Sequence, residues 1–261
     1  MTGQPFTLSN IRAKRPKPGL MRQHLTCVNA CAAICGAEVV GGEIGSQELG
    51  FTPGVLRGGS YSFAIGTAGS VTLVAQTLIP ALALAGESSE VVISGGTHVD
   101  GAPTSDFMRQ SWLPQIRRMG YDVSLEFPRH GFYPAGGGEM RFVLKPLAGL
   151  AAFQLVERGA KLGRDAVIHS SSLPQVVAAR QSALLAEKLA LAPDAIRIAE
   201  TPDGAGPGNA ICLAERHENI CEVFSMCGAR ERRSEYMVGQ LAKELHEYMA
   251  SEAPVGRHLA D

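Results

Sequence analysis

The sequence has 261 residues, of which 45% are hydrophobic and 19% are charged, and its formal net charge is −1. This length and composition allow one large domain or two small ones with a sizeable core. A net charge this close to zero excludes bulk electrostatic attraction as the main reason for binding nucleic acid. The opening segment MTGQPFTLSNIRAKRPKPG lacks the apolar centre of a signal peptide, and we find no apolar run of membrane-spanning length free of charges and breakers. We therefore expect a soluble, cytoplasmic protein that does not bind a membrane.

The positive charges are concentrated near the amino terminus. Five cationic residues precede Glu38, which is the first acidic residue: Arg12, Lys14, Arg15, Lys17 and Arg22. Such a run is commonly a solvated surface segment. The alternative interpretation is a site for phosphate groups.

Hydrophobic periodicity and turn residues predict alternating helices and strands up to about residue 146. The predicted helices cover 20–35, 71–86 and 106–120, and the predicted strands cover 37–41, 60–66, 90–96, 121–127 and 139–146. The helix over 71–86 is apolar almost all round, which predicts burial and a kink at Pro80. The order helix, strand, strand occurs twice. The helix of the first copy ends at Gly36 and that of the second at Gly120, which predicts an α/β domain built by duplication.

The segment RHGFYPAGGGE, residues 129–139, lies between two predicted strands. Its glycines can supply the positive φ angles that a hairpin turn requires. A glycine-rich loop that cradles phosphate would instead lead into the amino terminus of a helix. The position of the segment therefore favours a turn between strands over a phosphate cradle.

A second unit is predicted from about residue 155 to 251. It contains strands over 164–170, 195–200, 210–216 and 220–226, and helices over 173–191 and 233–251. This order predicts a small α/β module inserted into the larger one.

The six cysteines are interpreted as small core residues. Cys27, Cys31 and Cys35 are spaced four apart on one helix face, whereas Cys212, Cys221 and Cys227 show no metal-binding pair spacing. A metal site on that helix is the alternative, although it lacks a second pair of ligands elsewhere.

The segment RHGFYPAGGGE resembles the signature of the RNA 3'-terminal phosphate cyclases. Five further segments resemble that family in the same order: TGQPFTLSNIRAKRPKPGLMRQHL, GTAGSVTLVAQTLIPAL, SGGTHVDGAPTSDF, DGAGPGN and VGRHLAD. The resemblance is to the bacterial, catalytic branch and covers essentially the whole chain. It implies an α/β (α+β) fold made of repeated units, each a four-stranded sheet with two helices, with a main domain over 1–154 and 252–261. A smaller α/β domain over 155–251 is inserted into it.

The resemblance also implies a reaction. A histidine attacks the α-phosphate of ATP, the AMP passes to an RNA 3'-terminal phosphate, and the 2'-hydroxyl displaces AMP to leave a 2',3'-cyclic phosphate. The implied cofactors are ATP and a divalent metal, Mg²⁺ or Mn²⁺, and the implied partner is RNA with a 3'-terminal phosphate. Two alternatives are a non-catalytic RNA-binding relative and a small-molecule enzyme on a similar scaffold.

Two groups of residues match the family's binding positions. The ATP-binding group comprises Gln76, Pro103, His258, Leu259, Ala260 and Asp261. His258 stands where a tyrosine is usual in the active enzymes of the family, and an imidazole offers less area for stacking. The group expected to contact phosphate and RNA comprises Arg12, Arg15, Arg22, Gln23 and His24. Guanidinium groups bind phosphate oxygens in a bidentate manner, which gives the cationic segment a reason to exist.

No catalytic residue or metal ligand is assigned. The family's glutamate linked to metal and nucleotide, and its nucleophilic histidine, are expected to lie outside the two ends of this sequence. We therefore expect that residues 1–261 alone do not form an enzyme-AMP intermediate and are prone to aggregate through unpaired sheet edges. A labelled 27.6 kDa band after incubation with radioactive ATP would contradict the first expectation.

Overall fold

The computed structural model describes residues 2–201 and 204–260, which adopt a mixed α+β fold, as predicted. Eleven strands in this part of the chain form three sheets. The strands are β1 (Phe6–Leu8), β2 (Glu38–Val40), β3 (Leu49–Thr52), β4 (Gly59–Ala64), β5 (Ser89–Gly95), β6 (Val123–Arg129), β7 (Gly138–Leu144), β8 (Lys161–Ser171), β9 (Ile196–Glu200), β10 (Gly208–His217) and β11 (Cys221–Cys227). The α-helices are α1 (Arg22–Cys35), α2 (Val71–Leu82), α3 (Ser105–Phe107), α4 (Leu113–Arg118), α5 (Gln175–Leu189), α6 (Ser234–Ala250) and α7 (Arg257–Ala260).

The first sheet has the order β1-β3-β2, and all its pairs are antiparallel. Helix α1 precedes β2 and ends at Gly36, as predicted from the sequence. Gly36 adopts a left-handed conformation, with φ at 61°, and its N–H donates to the carbonyl of Ala32. Glycine adopts this conformation without a steric penalty, which is why the helix stops there.

The second sheet has the order β4-β5-β7-β6. Strands β4 and β5 are parallel and are joined by α2, whereas β7 pairs antiparallel with both β5 and β6. Alternate residues of β5 and β7 are buried in one core with α2, as expected for strands whose side chains point to opposite faces in turn. With α2 and α4 this sheet matches the expected unit of four strands and two helices.

The segment predicted as one helix over 106–120 contains an irregularity. Helix α3 continues through a π-helical turn over Met108–Trp112 into α4, and the N–H of Leu113 donates to the carbonyl of Met108. Pro114 follows directly and has no N–H to donate, so the regular ladder cannot continue through this position. The extra residue in the turn is a local feature that the hydrophobic pattern does not reveal.

The loop between β6 and β7 is the turn predicted for RHGFYPAGGGE. The two strands it joins are antiparallel neighbours, and Gly136 and Gly137 have φ angles of 70° and 72°. A Cβ atom at Gly136 would lie 2.9 Å from the carbonyl oxygen of Thr67, so glycine is needed for the loop to pack on that backbone. The prediction of a turn between strands is confirmed.

The third sheet has the order β11-β10-β8-β9. Helices α5 and α6 share a core with one of its faces. From this sheet, Cys212, Ala214 and Val223 belong instead to the core that contains α2 and β5. The sheet thus contributes side chains to both cores. No helix in the described part of the chain is both long and apolar enough to cross a membrane.

Candidate functional site

A cavity of about 500 Å³ lies where α2, the loop over 101–104, β11 and α7 meet. Its volume is in the range of small-molecule and cofactor sites. Three residues predicted to bind ATP line it together: Gln76 from α2, Pro103 from the loop and His258 from α7. These residues are far apart in the sequence, and the fold brings them to one place.

Gln76 reaches the cavity because of its position on α2. Most neighbouring residues of this helix, such as Val74, Ala75 and Leu78, are fully buried in the core. Gln76 is half-buried and lies at the border between the core and the cavity, beside Leu73. A long polar side chain at such a border can offer its amide to a ligand without leaving a polar group buried in the core.

The carboxy-terminal residues of the predicted ATP group have different surroundings. His258 is exposed over about half of its side chain, and its Nε2 lies 3.6 Å from a carboxylate oxygen of Glu244. This contact lowers the pKa of the Glu244 carboxyl. Leu259 packs against the apolar core and Ala260 is exposed, whereas Asp261 lies outside the described residues.

The position of α7 depends on Glu222 of β11. The N–H of Gly256, just before α7, donates to Oε1 of Glu222 at 2.5 Å. A Cβ at Gly256 would lie 2.9 Å from the carboxyl carbon of Glu222, so a larger residue here would displace this carboxyl group. Glu222 is only 1% exposed, and this burial raises the pKa of its carboxyl to about 7.

The cationic segment forms a folded loop in front of α1. The Arg12 guanidinium donates to the carbonyls of Lys17 and Gly19, at 2.6 and 2.9 Å, and so closes this loop. Arg15 and Arg22 are exposed. The predicted contact residue His24 uses its Nδ1 to accept the N–H of Met21 at 3.0 Å. Partial burial and the nearby charge of Arg12 lower the pKa of His24, which favours the neutral imidazole.

A continuous chain of hydrogen bonds joins the cationic segment to the cavity wall. Oε1 of Gln23 accepts the N–H of Ser70, at 2.6 Å, at the start of α2. The hydroxyls of Ser70 and Thr72 are 2.6 Å apart, and that of Thr72 donates to the Pro103 carbonyl at 2.7 Å. Arg22 lies beside the loop that leads into α2, since a Cβ at Gly66 would be 3.9 Å from its Nη1. The two predicted sites therefore share the start of α2.

The comparison with known proteins decides the family. A family model described as RNA 3'-terminal phosphate cyclase matches residues 1–261. The chain belongs to the RNA 3'-terminal phosphate cyclase family. Similar proteins include the RNA 3'-terminal phosphate cyclases of Salmonella enteritidis and Pseudomonas fluorescens, each 46% identical over 261 residues. These matches cover 100% of this chain and 76% of each relative. The resemblance inferred from the sequence motifs is confirmed.

One group of residues in this family member was not predicted as a site. His98, Asp106, His169 and Cys212 are all buried, and their potential metal-ligating atoms lie within 4.8 Å of one another. Neither His98 nor His169 was assigned to a site from the sequence. His98 lies in the loop after β5 and His169 on β8, and they are only 1% and 2% exposed. The residues are distant in sequence and have no motif spacing, so only the fold brings them together.

Burial and hydrogen bonding together determine the protonation of this group. Burial is the largest influence on His98 and lowers the pKa of its imidazole to about 4, against the opposing effect of Asp106. Burial alone would raise the pKa of Asp106, but hydrogen bonds from His169 and His98 outweigh it and hold the carboxyl well below its ordinary value. The cluster therefore contains a carboxylate beside a neutral His98 imidazole.

The cysteines behave as core residues, as interpreted from the sequence. All six thiols are free, and Cys27 and Cys31 on α1 pack against the main core. Burial raises the pKa of Cys31 to about 11, so this thiol is protonated at neutral pH. Among the described residues, the candidate metal-ligating group lies at His98 and not on α1.

Proposed function

We propose that this chain takes part in the ATP-dependent conversion of an RNA 3'-terminal phosphate into a 2',3'-cyclic phosphodiester, releasing AMP and pyrophosphate. One observation carries the proposal. In a member of the RNA 3'-terminal phosphate cyclase family, Gln76, Pro103 and His258 line one cavity that is connected to the cationic segment through the start of α2. A nucleotide and the phosphate end of an RNA can thus bind side by side.

In this proposal the cavity binds ATP. The ring of Pro103 packs on the adenine, the His258 imidazole stacks on its other face, and the amide of Gln76 hydrogen-bonds to the nucleotide. Leu259 and Ala260 contribute indirectly, because they belong to the short helix α7 that carries His258. Asp261 is retained in the group from the family resemblance alone.

The cationic segment binds the phosphate end of the RNA. Arg15 and Arg22 have exposed guanidinium groups, which can each donate two parallel hydrogen bonds to a phosphate. Arg12, Gln23 and His24 already make hydrogen bonds within the protein. These three residues therefore also hold the segment in position, and their contribution to RNA binding adds to that role.

The reaction also requires a divalent metal, Mg²⁺ or Mn²⁺, to neutralise the triphosphate during displacement at phosphorus. Mg²⁺ prefers oxygen ligands and is commonly held by one or two carboxylates together with substrate phosphates. The described residues that line the cavity include no carboxylate. The set of side chains therefore does not fit a protein-held Mg²⁺, and we assign neither a metal ligand nor a catalytic step to these residues.

A non-catalytic RNA-binding role is the alternative, and it is not favoured, because the relatives with 46% identity are named as cyclases.

We place the protein in the cytoplasm, since its six cysteines are free and structural disulfides are rare there.

Two binding measurements test the proposal. The first follows ATP binding by calorimetry for wild type, Gln76→Ala and Gln154→Ala, where Gln154 is an exposed glutamine away from the cavity. We expect about a tenfold loss of affinity for Gln76→Ala, equivalent to one lost hydrogen bond to a ligand. No loss is expected for Gln154→Ala.

The second measurement compares RNA ending in a 3'-phosphate with the same RNA ending in a hydroxyl by fluorescence anisotropy. We expect tighter binding of the phosphorylated RNA, with affinity that falls as salt rises. Arg22→Ala should weaken binding and lower the salt slope by about one, while the exposed control Arg197→Ala leaves both unchanged. Equal affinity for the two RNA ends, or ATP affinity unaffected by Gln76→Ala, would overturn the proposal.

A further inference from the structure

The buried group formed by His98, Asp106, His169 and Cys212 combines two imidazoles, a carboxylate and a thiol. Nε2 of His169 lies 2.7 Å from Oδ2 of Asp106, and Nε2 of His98 lies 3.3 Å from the same oxygen. The four donor atoms lie within 4.8 Å of one another. The four donors come from different parts of the fold: His98 from the loop after β5, Asp106 from α3, His169 from β8 and Cys212 from β10.

The donor chemistry is that of a transition-metal site. Zn²⁺ is bound by imidazole nitrogen, thiolate sulfur and carboxylate oxygen, usually four in a tetrahedron. Bonds of about 2.0–2.3 Å place tetrahedral ligands about 3.4 Å apart. The distances from Oδ2 of Asp106 to Nε2 of His169 and of His98, 2.7 and 3.3 Å, are below this value, and the most separated donors need to approach by at most about 1.4 Å. The mixture of nitrogen, sulfur and oxygen does not suit Mg²⁺, which prefers oxygen.

The surroundings of the group resemble the outer hydrogen bonds of metal sites. Nδ1 of His98 lies 2.9 Å from the hydroxyl of Thr97, which fixes the ring with Nε2 directed towards Asp106. Metal-ligating histidines usually have such a partner at the second nitrogen. The hydroxyl of Ser105 lies 3.3 Å from Nε2 of His98 and 3.2 Å from Oδ2 of Asp106, so it contacts two of the proposed ligand atoms directly.

The neighbouring imidazole of His130 completes the environment. Its ring centroid is 4.7 Å from that of His169, and the Nδ1 atoms of both rings are buried without a hydrogen-bond partner among the described residues. An unpaired buried polar atom is costly and calls for an explanation. Ligation through Nε2 of His169 places the ring proton on Nδ1, so that this atom becomes a donor.

We propose that His98, Asp106, His169 and Cys212 form a binding site for one divalent transition-metal ion, with Zn²⁺ as the preferred ion. Binding replaces the thiol proton of Cys212, which is released to solvent, and involves no change of oxidation state. The ion connects the segment after β5 with β8 and β10, and thus ties the second sheet to the third. None of the four ligands lines the cavity, although Sγ of Cys212 lies 3.7 Å from the hydroxyl of Thr104 and 3.5 Å from that of Ser225, which do line it. The proposed ion does not depend on the proposed cyclisation.

Cobalt is the probe, because a cobalt–thiolate bond produces a charge-transfer absorption and tetrahedral Co²⁺ has intense visible bands. The full chain is stripped with a chelator, dialysed and titrated with Co²⁺. We expect saturation at one equivalent with both sets of bands, and their loss on addition of Zn²⁺. Cys212→Ser should remove the charge-transfer band, and His169→Ala should weaken Co²⁺ binding at least tenfold.

The matched control is Cys35→Ser, which replaces another buried thiol. It should retain the full spectrum. Circular dichroism of each variant verifies that it is folded, and the wild-type titration by itself does not depend on any variant. Three results would overturn the proposal: no charge-transfer band in the folded wild type at excess Co²⁺, persistence of that band in Cys212→Ser, or its loss in Cys35→Ser.

Discussion

Glu222 makes the stability of this protein depend on pH in a way that can be measured. Its carboxyl is buried on β11 and accepts the N–H of Gly256, which fixes the entry to α7. Burial is the largest influence and raises the pKa from its ordinary value of 4.5 to about 7, while the Gly256 hydrogen bond and the charges of His258 and Arg158 offset only part of this effect. The folded protein therefore retains a proton that the unfolded chain has already lost.

The sign and size of the effect follow from this pKa difference. Because the folded pKa lies above the unfolded one, the contribution to stability is complete below about pH 4.5 and is lost as the pH rises through 7. Each pKa unit corresponds to about 1.4 kcal/mol, so the full loss is about 3 kcal/mol. Between pH 5 and pH 8 it amounts to about 2–3 kcal/mol.

The substitution Glu222→Gln isolates this contribution. Glutamine retains an oxygen that can accept the Gly256 N–H but cannot ionise. We expect the free energy of unfolding of the variant, relative to wild type, to rise by about 2–3 kcal/mol from pH 5 to pH 8. Urea denaturation followed by circular dichroism at several pH values measures this difference. The exposed Glu252→Gln serves as control. A difference between Glu222→Gln and wild type that is constant with pH would refute the reasoning.

Three further predictions concern stability. The Arg158 guanidinium donates to the carbonyls of Tyr248, Ser251 and Ala253 and lies 3.7 Å from the centre of the Tyr248 ring. Arg158→Met should therefore lower the free energy of unfolding by about 2–3 kcal/mol in urea denaturation, and Arg158→Lys should recover part of this loss. Gln23→Ala removes the acceptor of the Ser70 N–H and should lower the free energy of unfolding by about 1–2 kcal/mol. Gln23→Glu keeps an acceptor and should be less destabilising, so equal melting temperatures for the two variants would contradict this prediction. Gly208→Ala places a Cβ 2.2 Å from that of Phe132 and should lower the melting temperature and reduce the free energy of unfolding by about 1–3 kcal/mol. Gly239→Ala serves as the control: its Cβ enters open space on α6, and the removal of a glycine from the helix interior should raise the melting temperature.

Much of the secondary structure could be predicted from the sequence because its local signals agree with its packing. Helix α2 is rich in apolar residues, and seven of its twelve residues are buried, most of them in the core shared with β5 and β7. The turn after β6 was predictable because Gly136 and Gly137 supply conformations that other residues avoid. The carboxy-terminal end of α1 followed from Gly36 in the same way, whereas the helix begins at Arg22 and not at residue 20 as predicted.

The π-helical turn and the buried cluster could not be predicted by these means. The turn over Met108–Trp112 changes the hydrogen-bond ladder without changing the hydrophobic pattern. Asp106 and His169 are 63 residues apart and meet only because the third sheet packs against the segment after β5. Each of these residues alone is typical of a loop, helix or strand, and only their arrangement in the fold gives them a common environment.

The hydroxyl chain at the start of α2 has a fixed direction. Thr72 has one hydroxyl hydrogen and gives it to the carbonyl of Pro103, so it must accept the hydrogen of Ser70. Every link in this chain is uncharged, whereas the neighbouring arginines act through charge. Ionic strength screens charges but leaves neutral hydrogen bonds largely unaffected. The cavity wall at Pro103 therefore keeps its shape at salt concentrations that would weaken the proposed binding of a phosphate by Arg15 and Arg22. The two neighbouring surfaces can thus be studied one at a time by changing the salt concentration of the buffer.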